Sequence, residues 1–171
     1  THASSSAASD VYKRQIVSWP KKVKPSSVSN QIICQTDLMA TCASLVGYVM
    51  PENSAEDSFD FSSVLSGNVA KTIRPYILHQ TISLALSIRS DDWKYLDHKG
   101  SGGSNYNRGG EWGLKKYALA EKAPNAPGQL YNLKSDPGET ENLYFKRPEI
   151  VKKLKTLLEE SKSSGRSRPI N

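Results

Sequence analysis

Thiols, carboxylates and imidazoles are the groups in this chain that could do chemistry, and their spacing narrows what that chemistry is. The two cysteines are Cys34 and Cys42. No Cys-x-x-Cys occurs and no Cys/His group has zinc spacing, so a pair of buried thiols is expected and the redox compartment stays open. Asp57 with Asp60, and Asp91 with Asp92, bring carboxylates close in sequence, but neither pair has the pattern of a coordination site. The first pair reads as a loop or helix cap, the second as a turn. Nothing sets two carboxylates face to face, as glycoside hydrolysis requires. The glycine-rich run 100–113 lacks the strand-then-helix setting of a phosphate cradle and reads as a surface loop. Trp93 alternates within a strand and reads as core. Trp112, in the loop, is open to a structural or a sugar-stacking role. His79, within a strand, reads on its residues alone as a histidine satisfied by backbone, though an imidazole can also hydrogen-bond a ligand.

The elements that must position these groups follow from apolar spacing. Residues 1–15 are rich in Ser and Ala, show no apolar period, and read as a disordered or non-native tail. The run Ile16 to Trp19, stopped by Pro20, predicts a buried strand. A helix is expected after Thr36, with Asp37 in its first turn and Leu38, Cys42, Leu45 and Val46 forming its apolar face. Gly47 is placed to end it. A short helix is expected near residues 61–65. Strands are expected in "RPYILHQT", "SLALSIR", "WKYLD" and "QLYNL", with Ser90-Asp91-Asp92 as a turn. Asp136-Pro137-Gly138 redirects the chain. Pro148 then opens a helix where no backbone donor is needed, with Ile150, Val151, Leu154, Leu157 and Leu158 on its apolar face and Gly165 as its stop. The fold class is α+β: a small antiparallel four-stranded sheet packed by a C-terminal amphipathic helix, preceded by a strand-helix unit.

Composition bounds the partners. Apolar residues make up 37% of the 171, below the roughly 45–50% of an ordinary domain counted with Gly, so part of the chain is expected to be unpacked. The net charge is +6, but the Lys and Arg residues are scattered and those near the C-terminus alternate with Glu149, Glu159 and Glu160. This reads as a solvated surface rather than a nucleic-acid patch. No apolar run approaches the ~20 residues of a membrane span, and no signal peptide is visible.

Taken in order, several stretches resemble the C-terminal part of the arylsulfatase family, the formylglycine-dependent sulfatases of the alkaline-phosphatase-like superfamily. "IVSWPKKVKPSSVSNQIICQTDLMATCASLVG" is similar to the family's strand, W-P-G-K turn and T-D-L-M-A-T helix. "PENSAEDS" resembles D-N-A-x-E-D-S. "LHQTISLALSIRSDDWKYL" resembles V-H-H-S-x-x-G-x-F-A-I-R-x-G-x-W-K-L. "QLYNLKSDPGETENL" is similar to Q-L-Y-D-L-x-x-D-P-G-E-x-x-N-L, and "GRSRP" to G-R-S-T-P. The resemblance runs from Ile16 to about Pro169. It also accounts for "ENLYF", which matches a protease tag only until Lys146 replaces the expected Gln.

The resemblance implies hydrolysis of sulfate esters by a formylglycine made from the Cys or Ser of a C/S-x-P-S/A-R motif, with a divalent metal, commonly calcium, neutralising the sulfate oxygens. Neither cysteine here sits in that motif: Cys34 precedes Gln-Thr-Asp and Cys42 precedes Ala-Ser-Leu. The chain therefore reads as a fragment. Residues 16–72 would be a remnant of the N-terminal α/β sulfatase domain and residues 73–171 the C-terminal subdomain. It is expected to be inactive alone, with no catalytic or metal residues of its own. Calcium and formylglycine would belong to the full-length parent, and the partner would be the missing N-terminal domain. His79 matches the first His of V-H-H-S, which implies a place at the substrate pocket. Gln80 stands where relatives have a second His. Members of the family are often exported, and export of this protein is not readable from the chain. The competing reading is a small basic module that binds sulfated or phosphorylated polymers, whose affinity would fall steeply with salt.

Overall fold

The computed structural model describes residues 17–68, 72–81, 84–99 and 120–169. The expected tail 1–15, the glycine-rich loop and Trp112 lie outside them. The described residues divide into two compact units, one built on residues 78–159, the other on 17–77 with 160–169. Among the described residues no helix is long and apolar enough to cross a membrane.

The first unit is the sheet. Strands β1 (Ile77–Gln80), β2 (Leu86–Ser90), β3 (Trp93–Leu96) and β4 (Gln129–Asn132) run in the order β1-β2-β3-β4. The pairs β2–β3 and β3–β4 are antiparallel. Ser90 faces Trp93, so Asp91 and Asp92 alone make the turn. Asp91 adopts φ 51°, a left-handed conformation that Asp tolerates better than most residues. The register lines Ile88, Tyr95 and Leu130 across three strands, and all three are buried. This transverse row is the centre of the sheet's core. Trp93, expected in the core, is only half-buried at the strand's start. β4 is buried at Gln129, Leu130 and Tyr131 in succession, so both of its faces are covered. Gly128 precedes it because a Cβ there would stand 2.5 Å from the Leu96 carbonyl oxygen.

The stretch after β4 is a hydrogen-bonded clamp. The Asp136 carboxylate accepts from the Thr140 and Glu141 amides at 2.7 and 2.9 Å, which closes the Asp-Pro-Gly turn. Glu139, at φ 54°, is buried against the Lys94 ammonium at 2.6 Å. The buried Asn142 accepts from the Leu130 amide through Oδ1, while the Leu143 amide donates to the Leu130 carbonyl at 2.8 Å. These two bonds satisfy the free edge of β4, as a fifth strand would. Helix α3 (Pro148–Ser164) follows. Val151, Leu154 and Leu158 are buried on one face, and its charged residues face water. Gly165 ends it at φ 66°.

The second unit contains α1 (Asp37–Leu45) and α2 (Ser62–Leu65). Gly47 at φ 72° closes α1: its amide donates to the Ser44 carbonyl and the Tyr48 amide to the Ala43 carbonyl. This 6→1 and 5→2 pair is the Schellman arrangement. Three expectations fail here. The buried residues of α1 are Asp37, Ala40 and Thr41, whereas Leu38, Leu45 and Val46 are 53%, 44% and 80% exposed. The apolar stripe read from the sequence is present, but it faces outward. Cys42 shares that exposed face and Cys34 is half-buried, so neither is a core thiol and both are free. Residues 17–19 form no strand and are exposed, because an apolar run becomes a strand only beside another strand, and none lies beside it among the described residues.

Candidate functional site

His79 sits on β1, an outer strand of the sheet, half-buried between Leu78 and the exposed Gln80. Alternation puts it on the same face as buried Ile77. The strand is short, and its chain reverses through a turn in which the Thr81 amide donates to the Ala85 carbonyl and the Ala85 amide to Thr81 Oγ1. Gln80, at the position of the second family His, points to the other face, so no imidazole pair forms here.

Three ionisable groups of the sheet unit are shifted from their ordinary pKa. Burial pushes the Tyr95 phenol far above its usual range, helped by its 2.7 Å hydrogen bond to Asp97. Burial likewise raises Tyr131, with Glu121 adding to the effect. The hydrogen bond from Lys146 lowers the exposed Glu141 carboxyl. Each of these shifts moves its group away from neutrality. A general acid or base works best with its pKa near the working pH, so these three serve structure.

The polar centre of the second unit was not foreseen beyond the placement of Asp37 in a first turn. Arg74 Nη2 donates to Asp37 Oδ1 at 2.5 Å and its Nε to Oδ2 at 3.2 Å. The same carboxylate accepts the amides of Cys34 and Phe59 at 2.7 and 2.9 Å. Arg74 also donates to the Asp57 and Tyr76 carbonyls and lies 4.5 Å from the Phe59 ring centroid. Both side chains are almost wholly enclosed. Both carboxylate oxygens and all three guanidinium nitrogens are hydrogen-bonded, which is what lets a buried charge pair persist. Its partners all come from the chain itself, so this is a structural hub. Asp57 and Asp60 act as expected of loop residues. Asp57 Oδ1 accepts the Ser167 amide, and Asp60 Oδ1 accepts the Ser62 amide at the start of α2. Beside α1 lies an open cleft of about 580 Å³, with Tyr48, Phe59, Asp60 and Arg168 in its walls.

The calcium and formylglycine implied by the resemblance do not fit the residues described. Among them, no three His, Cys, Asp or Glu side chains group closely enough to hold a metal ion. Cys34 and Cys42 also lack the modification motif.

No family model matches the chain. The N-acetylgalactosamine-6-O-sulfatase of Bacteroides thetaiotaomicron is 33% identical to it over 148 residues, 86% of this chain and 27% of that protein. The chain is homologous to sulfatases. A Formosa agariphila ulvan-active sulfatase is 31% identical over 144 residues, covering 75% of this chain and 28% of that protein. A solved Bacteroides thetaiotaomicron structure, described in work on the metabolism of multiple glycosaminoglycans, superposes with TM-score 0.65 at 31% identity over 85% of this chain and 28% of its own. The chain thus spans little more than a quarter of the length of the relatives it matches. Its α+β fold, four antiparallel strands with a C-terminal helix, agrees with the C-terminal portion of a sulfatase.

Proposed function

We propose that this chain is the C-terminal segment of a sulfuric-ester hydrolase that removes sulfate from a sulfated sugar. The observation that carries the reading is the 33% identity to an N-acetylgalactosamine-6-O-sulfatase across 86% of the chain. In this reading the S–O chemistry, with its calcium and formylglycine, resides upstream. The sheet unit holds His79 at the edge of the substrate pocket, where its imidazole hydrogen-bonds the sugar or its sulfate. Its half-buried place on an outer strand supports that role.

The test is release of inorganic sulfate from N-acetylgalactosamine 6-sulfate, by the 171-residue chain and by the protein expressed from its uninterrupted coding frame. The longer protein is expected to release sulfate and the chain alone to match the blank. In the longer protein, His79→Ala is expected to raise KM roughly tenfold, the loss of a hydrogen bond to a charged group, with a smaller change in kcat. Activity of the chain alone, or an inactive longer protein across a panel of sulfate esters, would overturn the reading. Unchanged kcat and KM in the His79 variant would remove His79 from the pocket.

A further inference from the structure

Residues 166–168 follow α3 and run back along the loop 51–57. The Ser167 amide donates to Asp57 Oδ1 and the Arg168 amide to the Glu56 carbonyl, both at 2.8 Å. Arg168 Nη2 donates to the Ser54 and Pro51 carbonyls at 2.8 and 3.4 Å. These bonds fix the Arg168 side chain in the wall of the cleft beside α1.

The charge of Arg168 is not spent there. Its Nε is buried and has no hydrogen-bond partner. Among the described residues no carboxylate lies within ion-pair distance of Arg166 or Arg168, whereas Arg74, Lys94 and Lys146 each have one. Arg166 Nη2 and the hydroxyl of Ser167, a residue only 8% exposed, are buried and unpartnered as well. Three consecutive residues thus each keep a donor from both water and chain. Such a group costs free energy until an acceptor reaches it. A half-buried guanidinium with a donor to spare suits an oxyanion.

The rest of the cleft says what the oxyanion is attached to. Tyr48 stands in its wall, 61% exposed. The Tyr48 amide is tied to the Ala43 carbonyl in the turn that closes α1, so the ring is presented from a fixed backbone. Asp60 lies in the same wall, its carboxylate accepting from the Ser62 amide and hydroxyl. A carboxylate repels a bare anion but accepts from hydroxyl groups, and a tyrosine ring offers an apolar surface with a polar tip. Guanidinium, aromatic ring and carboxylate in one cleft match a sugar ring that carries a sulfate.

We propose that the cleft walled by Tyr48, Asp60 and Arg168 binds a sulfate group carried on a saccharide, with the oxyanion at Arg168 and the ring on Tyr48. The choice of a sulfated saccharide rests on the sulfatase reading above, and the oxyanion on Arg168. All residues of the cleft belong to the second unit, and His79 to the first.

The test is calorimetric titration of the 171-residue chain with N-acetylgalactosamine 6-sulfate, with N-acetylgalactosamine and with inorganic sulfate, repeated on Arg168→Gln and Tyr48→Ala. The sulfated sugar is expected to bind, and the unsulfated sugar about tenfold more weakly or worse, for want of the bond to a charged group. Arg168→Gln is expected to weaken the sulfated sugar by a similar factor. Tyr48→Ala is expected to weaken it several-fold while leaving inorganic sulfate unchanged. Arg168 also holds the loop at Ser54, so its variant is read beside its urea midpoint. Tyr48 is exposed, and its replacement is an arm that does not depend on that loop. No binding of the sulfated sugar by the unsubstituted chain, or binding that neither substitution weakens, overturns the proposal. Inorganic sulfate that binds as tightly as the sugar, with Tyr48→Ala without effect, overturns the saccharide and assigns the cleft to the free oxyanion. Binding is read without turnover. A longer protein that releases no sulfate while the cleft still binds sinks the sulfatase reading and not the site, and the reverse sinks the site alone.

Discussion

Helices α1 and α3 carry equally legible apolar stripes and bury opposite things. α3 buries its stripe: Val151, Leu154 and Leu158 are enclosed, and its Lys and Glu residues face water. α1 buries its polar edge, Asp37 and Thr41, and exposes its stripe. The difference lies in what each apolar face has to meet. α3 follows directly on the clamp that closes β4, within a unit whose row of Ile88, Tyr95 and Leu130 needs covering. α1 is held by a charge pair. Asp37 satisfies two amides and an Arg that is 37 residues away in sequence, and among the described residues the stripe is left exposed. Apolar periodicity thus states that a face will be buried, without stating against which chain segment.

The sharpest way to break this comparison is Asp37→Ala. Removing the carboxylate leaves Arg74 buried and unpaired, and the cost is expected to be about 3–5 kcal/mol, read as loss of the cooperative urea transition of the α1 unit. A small effect would mean that α1 is held by apolar contacts after all. Next comes Leu154→Ala in α3, expected to cost about 2–4 kcal/mol through lost burial and the cavity left behind. Leu38→Lys on the exposed face of α1 is expected to cost under about 0.5 kcal/mol; if Leu154→Ala proves as harmless, the two helices do not differ in the way described. The smallest effect is electrostatic. Lys146 lowers the Glu141 pKa from its ordinary 4.5. A depressed acid contributes stability above its unfolded value and loses it as pH falls through the folded one. Glu141→Gln should therefore flatten the acid limb of a stability-against-pH curve slightly, below about pH 4.5. Both partners are largely exposed, so the flattening should vanish in high salt. A large, salt-insensitive change would show that the pair is more enclosed than its exposure indicates.

Much of the fold was legible because its signals are local. The strands, the Asp91-Asp92 turn, the Asp136-Pro137-Gly138 redirection, Pro148 at the head of α3, and the glycine stops at 47 and 165 each follow from conformational rules acting over a few residues. The order of motifs placed the chain among sulfatases, as the homologues bear out. What escaped was long-range. Nothing local marks Asn142 as the residue that satisfies the edge of β4, or Asp37 as the acceptor for Arg74, because a buried polar partner has no periodicity. Cys34 and Cys42 read as core thiols from their type, yet the exposure of Cys42 is decided by which face of α1 turns inward.

The sequence by itself therefore determined the four strands of the sheet, the helices and the sulfatase kinship, since backbone preference and motif order are written in neighbouring residues. Only the tertiary structure decided which face of α1 is buried and that Arg74 closes on Asp37. Those outcomes depend on what surface lies opposite, and for α1 the residues that hold it in place are Phe59 and Arg74, far along the chain.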